Sequence, residues 1–234
     1  MSGALQAVFQ NQRSFGEPPP TVIGQAYGGG YYAGQIGVSS VATHYLVVGP
    51  MASAYNATGL RYKTSNTEDA GATSVINGPA NSASINDSDH PAAQFCEGLT
   101  IGGFSDWYLP AINELEICYF NLKPSTNSNY TGGAEPMGWP NGSNPNAVPS
   151  RASAYTSGTP AQTSATIFKT GNAEAFPYLN GGNPASYWSS TQAPNVGTSR
   201  VGYAACTNFE TGYQYRASKN TTARFVRAVR RVAV

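Results

Sequence analysis

The sequence predicts an α+β domain with two helices, short antiparallel strands and long ordered loops, preceded by an extended N-terminal arm. Three observations lead there. Apolar residues recur at helical spacing in only two stretches, short β-prone runs gather at 24–48 and 186–232, and the sequence between is dominated by Gly, Pro, Asn, Ser and Thr. With 234 residues the chain can bury a sizeable core. Only 11% of residues are charged, while 40% hydrophobic and 12% aromatic content is too much for a chain without a core.

Residues 1–22 read as a separate arm. Ala4-Leu5-Gln6-Ala7-Val8-Phe9 has strand character, and Glu17-Pro18-Pro19-Pro20 stiffens the chain into an extended spacer. Residues 23–234 form the domain. Its opening, Tyr27-Gly28-Gly29-Gly30-Tyr31-Tyr32, is glycine-rich, but a phosphate-binding loop needs a helix after it. Here Val38 to Val48 follows with strand character, so a tight turn or hairpin is predicted.

The first helix starts near Asp89-His90-Pro91, with Asp89 as the cap and Pro91 in the first turn. It carries Ala92, Phe95, Cys96 and Leu99, and a glycine ends it. The second opens at Pro110, carries Ile112, Leu115, Tyr119 and Leu122, and stops at Pro124, with Glu114 and Glu116 suited to its N-terminal dipole. Residues 125–183 are far longer than the roughly 12–15 expected of a structureless loop and must be an ordered long-loop region or a partly mobile functional one. Strands follow at 186–191, 201–209, 213–216 and 224–232.

Charge is distributed unevenly. Residues 1–215 hold seven Lys/Arg against twelve Asp/Glu, whereas 216–234 hold six basic residues and no acid. The arginines alternate with Phe225, Val226, Val229 and Val232. This predicts a terminal strand whose arginines pair with acids elsewhere, not a nucleic-acid tail. Cys96, Cys118 and Cys206 are widely spaced and read as buried free thiols, a Cys96–Cys118 or Cys118–Cys206 bridge being the alternative. No apolar run reaches the ~18 residues a membrane span needs, and the start lacks signal-peptide character.

Catalytic signatures are scarce. HExxH, GxSxG and phosphate-loop lysine motifs are missing, and two histidines give little material for a triad or metal site. Asn86-Asp87-Ser88-Asp89 lacks the downstream Glu of a calcium loop. Glu114 and Glu116, two apart on a helix, make a poor acid–base pair. The sequence is read as non-enzymatic, with no cofactor, no metal and no support for calcium.

Three segments carry a family resemblance. Gly103-Phe104-Ser105-Asp106-Trp107-Tyr108-Leu109-Pro110-Ala111-Ile112-Asn113-Glu114-Leu115 resembles the Asp-Trp-Arg-Leu-Pro-Thr…Glu-Leu signature of the C-terminal domain of the Legionella collagen-like adhesin. Tyr187-Trp188-Ser189-Ser190-Thr191 is similar to that family's second hallmark, and Phe225 to Arg230 to its closing strand. The resemblance implies a C-type-lectin-like fold. Tyr108 stands where the family carries arginine, so any salt bridge made there is lost or moved. The Glu-Pro-Asn triplet of calcium-dependent sugar binding is missing, Glu135-Pro136-Met137 being the nearest match. Asp106, accepting backbone amides, with Trp107, Leu109, Pro110, Leu115 and Trp188, reads as scaffold.

The start of the chain, Leu5 to Gly16, is similar to the openings of phage tail proteins. Together the resemblances imply a bacteriophage tail-fibre or tail-tip adhesin, made in the bacterial cytoplasm and carried on the virion. The arm would dock on other tail proteins, and the domain would bind a host-surface glycan or protein as a homo-oligomer, a trimer favoured. The contact surface expected for such a fold is Asn195, Arg200, Tyr203, Asn208, Tyr213, Tyr215, Lys219 and Asn220, with Tyr130, Trp139, Asn141 and Tyr155 as a second patch. A structural tail or capsid decoration protein, and a formylglycine-generating or glycan-cleaving enzyme, are the alternatives.

Overall fold

The structure, a computed structural model, describes residues 17–133, 138, 140–180, 183–194, 201–220 and 224–234. The strand-like Ala4–Phe9, the Glu135-Pro136-Met137 triplet, Trp139, Asn195 and Arg200 therefore lie outside the described residues.

Among the described residues, two main sheets and four α-helices make a mixed α+β architecture. The first sheet has the order β1 (Ala26–Tyr27), β2 (Gly30–Val38), β3 (Val41–Val48), β11 (Val229–Ala233), each neighbour antiparallel. The β2–β3 turn is made by Ser39 and Ser40, both at positive φ (50° and 64°), which matches the right-handed twist of a two-residue hairpin. The second sheet runs β4 (Tyr55–Leu60), β10 (Arg224–Arg227), β7 (Ser186–Gln192), β8 (Tyr203–Asn208), β9 (Gln214–Ser218). Only the β10–β7 pair in it is parallel. A two-residue ribbon, β5 (Leu179–Asn180) with β6 (Asn183–Pro184), stands apart.

The helices are α1 (Met51–Ala54), α2 (Gly78–Ser84), α3 (Pro91–Glu97) and α4 (Ile112–Leu122). α3 and α4 fall where the periodicity predicts them. α1 and α2 leave no signal in the sequence, because four and seven residues carry too little apolar repeat. Asp89 does not cap α3: His90 holds the cap position without a side-chain bond, and the Asp89 carboxylate accepts from the Thr64 hydroxyl instead. α4 begins two residues after Pro110, and Glu114 reaches back to accept the Ala111 N–H at 2.7 Å.

The second sheet is buried on both faces. On one, Tyr187 and Phe209 pack with Phe176 and with Tyr119 of α4, the Phe176–Phe209 rings stacking at 4.4 Å. On the other, Trp188, Cys206 and Val226 meet Ala92, Ala93 and Cys96 of α3. Trp107, Trp188, Leu109 and Leu115 are all buried, as their scaffold role requires. The three cysteines are free and buried, and burial pushes each thiol up, Cys206 to about 11.

The terminal basic run is a strand pair, not a single strand. It crosses from β10 in one sheet to β11 in the other at Ala228, whose N–H bonds Ala54 O and whose carbonyl accepts from Gly49 N. Its arginines pair inside the domain. Arg227 reaches Glu174 at 2.6 Å, Arg230 grips both oxygens of Asp106, and Arg231 binds Glu114 at 2.7 Å. Asp106 thus receives a guanidinium where backbone amides were expected, because Arg230 presents two parallel donors to it.

Among the described residues of 125–183, regular structure is limited to a 3₁₀ turn at Thr166–Phe168, β5 and the first residue of β6. Buried polar side chains hold them. Lys123 donates to Asn127 O, Asn129 Oδ1 and Pro160 O, and Asn129 in turn bonds the carbonyls of Thr156 and Ser157. Asn144 Nδ2 reaches Asn113 O and Glu116 at 2.8 and 2.6 Å. The region is ordered by amides substituting for a hydrogen-bond ladder.

Candidate recognition surface

Strand β9 is an edge of the second sheet, and both of its faces carry partly open side chains. Gln214 and Ala217 are buried, while Tyr215, Arg216 and Ser218 are partly open. Tyr213 and Tyr215, two residues apart, stack at 5.3 Å and 11°, and Tyr130 from the long loop closes on Tyr213 at 4.3 Å. The result is a row of three rings along the sheet edge, Tyr130 being 40% exposed. Arg224 extends the row, its guanidinium 5.7 Å from the Tyr215 ring and 4.8 Å from Trp188. The Tyr215 hydroxyl bonds Ser186 Oγ at 2.7 Å, and burial raises its pKa.

Register divides the expected tyrosines. Cys206 pairs with Tyr215, whereas Tyr203 pairs with Ser218 and Ala205 with Arg216. Directly opposed residues share a face, so Tyr203, Arg216 and Ser218 lie on the opposite side of the sheet from Tyr215. Tyr203 is 40% exposed with Arg216 over its ring at 4.9 Å. Two surfaces therefore replace the single one expected from the sequence.

Several expected contact residues are structural instead. Asn208 Oδ1 accepts the N–H groups of Glu210 and Thr211 and so builds the β8–β9 turn, in which Gly212 takes φ 72°. Asn141 is fully buried: it takes the Gln214 N–H and donates to Tyr130 O, joining the long loop to β9. Tyr155 is buried with its hydroxyl on Glu116 at 2.6 Å. Asn220 stays partly open, its N–H on Asn66. Lys219 has no exposure at all, because its ammonium is the partner of a buried carboxylate.

The sequence of residues 54–230, well over half the chain, matches the family described as the Lcl C-terminal domain. The chain belongs to that family. No curated protein and no solved structure matches it.

In this Lcl C-terminal domain Tyr108 has a carboxylate partner. The Tyr108 hydroxyl donates to Glu114 at 2.5 Å, and Arg231, from the terminal strand, supplies the positive charge. Burial pushes the Glu114 carboxyl up, against the pull of Arg231 and Tyr108. Gly78 is required beside it, since a Cβ there would sit 2.1 Å from Glu114 Oε2. Neither Glu114 nor Glu116 is at the helix surface; each is fully buried with its own set of donors.

At the end of β9, on the Tyr215 and Trp188 side of the sheet, lies a buried charge cluster that sequence reasoning missed. Asp69 accepts from Lys63 at 2.5 Å, Lys219 at 2.6 Å and His90 Nε2 at 3.0 Å, and His90 Nδ1 lies 2.6 Å from Asp87. Tyr62 packs against both His90 and Lys219. Only the spacing of Asp87 and His90, three apart, was a local signal; Asp69 and Lys219 are 150 residues distant. Among the described residues no group of three His, Cys, Asp or Glu is placed to hold a metal, and no helix is long and apolar enough to cross a membrane.

The cluster fixes a pH dependence. Burial opposes charge on His90, but the bonds to Asp69 and Asp87 outweigh it and raise the imidazole. Burial likewise opposes charge on Asp69, and the bonds from His90, Lys219 and Lys63 outweigh it and hold the carboxyl well below its usual range. A raised histidine contributes stability that is complete below its ordinary value of 6.5 and fades as pH climbs through the folded value. A depressed carboxyl contributes above 3.8 and fades on acidification. The thermal unfolding midpoint should therefore be highest between these values and decline as pH rises above 6.5, and His90→Gln should flatten that decline. An undiminished alkaline slope in the variant would assign it to another group.

Proposed function

We propose that this protein is a bacteriophage tail-tip or tail-fibre adhesin that binds a host-surface glycan or protein and catalyses nothing. The observation that carries the reading is the Tyr130–Tyr213–Tyr215 row, partly open on an edge strand and backed by a rigid frame. Rings of this kind give contact area at low entropic cost and suit the apolar faces of sugars, while Arg224 adds a positive charge beside Tyr215. Membership of the Lcl C-terminal domain family, which is associated with adhesins, supports it. In this reading the fold is C-type-lectin-like. Consistent with that, an early strand, β3, and the last, β11, share one sheet, and a long-loop region intervenes between α4 and β7. The internal pairing of Arg227, Arg230 and Arg231 argues against a nucleic-acid partner. On the virion, the arm attaches the domain to the tail, and three copies multiply weak contacts.

Because register splits the tyrosines, two variants test the surface separately. Tyr213→Ala with Tyr215→Ala should lower binding to host cells at least about tenfold, the loss of two stacked rings. Tyr203→Ala with Arg216→Ala should leave it nearly unchanged. Binding of fluorescent protein to host cells and competition with phage adsorption are the measurements. Full binding by a folded Tyr213/Tyr215 variant would remove this surface, and no binding by the wild type to any host would leave a structural tail component.

A further inference from the structure

Strand β11 is an edge of the first sheet, and its outer side still offers backbone hydrogen bonds. Val229 turns outward, exchanging bonds with Tyr108 at 2.9 and 3.0 Å. Pairing alternates along an antiparallel strand, and Val234 N already bonds Thr43 O on the β3 side. Arg231 and Ala233 therefore face outward with Val229, and among the described residues nothing meets their backbone groups. Beside this edge runs a cleft of about 450 Å³, lined by Arg231, Ala233, His44 and Asp106 and, from the start of α2, Asn77 and Pro79. An unpaired edge next to open space is a template for a further strand.

One segment of the chain is placed to fill it. The described residues begin at Glu17, whose carboxylate accepts the Gly28 N–H at 2.7 Å, and Gly28 O accepts from Arg230 at 2.9 Å. The described chain thus enters the domain at Glu17, beside Arg230 and so close to the β11 edge. Residues 10–16 alone, extended, span roughly 23 Å at ~3.3 Å each, enough to bring residues 4–9 alongside β11. That stretch, Ala4-Leu5-Gln6-Ala7-Val8-Phe9, is free of charge and of proline and has strand character. We propose that residues 4–9 add to β11 of the same chain as a fifth strand of the first sheet, seated in this cleft. The added strand covers the exposed edge.

Hydrogen exchange of the full chain tests this, with Leu5→Pro and Val8→Pro combined as the variant. The amides of Arg231 and Ala233 should be protected at least about 100-fold in the wild type, independently of concentration. The proline variant should accelerate these two at least about tenfold and leave Arg230 and Val232, bonded to β3, unchanged. Rapid exchange of Arg231 in the wild type, or protection untouched by the prolines, overturns the proposal. Protection that rises with protein concentration also overturns it, by assigning the edge to a second copy.

Discussion

Asp69→Ala is expected to destabilise the domain by about 3–5 kcal/mol, the cost of leaving a buried charge without its partner. Here the loss strands more than one: Lys63 and Lys219, with side chains 10% and 0% exposed, and His90 at 5%, all depend on the same carboxylate. The effect should also be spread widely. Lys219 closes the end of β9, Gln192 ends β7 and accepts from Asp69 N at 2.6 Å, and His90 opens α3. Urea unfolding measures it directly, as a lower midpoint at unchanged slope. A loss below about 1 kcal/mol would mean that water reaches the cluster and screens it, as at an exposed ion pair.

Glu116→Ala is expected to have an effect of similar size, about 3–5 kcal/mol, through the long-loop region. Its carboxylate, fully buried on α4, holds Arg151, the Tyr155 hydroxyl at 2.6 Å and Asn144 at 2.6 Å, three anchors of residues 125–183. Removing it should speed amide exchange at Tyr155 and Arg151 while the β2–β3 hairpin keeps its protection. Because Asn141 and Tyr130 in the same region support β9, host-cell binding should fall as well. Glu116→Gln, which keeps the shape and part of the bonding, should lose less. Stability equal to wild type in the alanine variant would show that the loop is held elsewhere.

The parts of this fold that were legible in the sequence are those written in local pattern. α4 shows its apolar spacing between Pro110 and Pro124, β2–β3 shows strand character after a glycine turn, and the alternation of arginine with valine predicted a strand whose charges are neutralised internally. Trp107 and Trp188 were readable as core because such large rings seldom remain exposed. What escaped was written at long range. Asp69 meets Lys219 only through the tertiary fold, and the Tyr203 and Tyr215 faces separate only once the β8–β9 register is known. Lys219, Asn141 and Tyr155 look like contact residues by type. Each is instead enclosed because a partner across the fold, Asp69, Gln214 or Glu116, claims its polar atom.

The crossing at Ala228 has a consequence for how the molecule comes into being. β10 must find β7 and the distant β4, and β11 must find β3, whose partner residues such as Val229 and Val48 lie far apart in sequence. Neither sheet reaches its full width until residues 224–233 have left the ribosome, so the emerging chain carries two incomplete layers through synthesis. Such distant pairing makes acquisition of the native state slow, on the millisecond-to-second scale of β-rich topologies. The last strand pair acts as the closing stitch, β10 joining β4 to β7 and β11 completing the other layer.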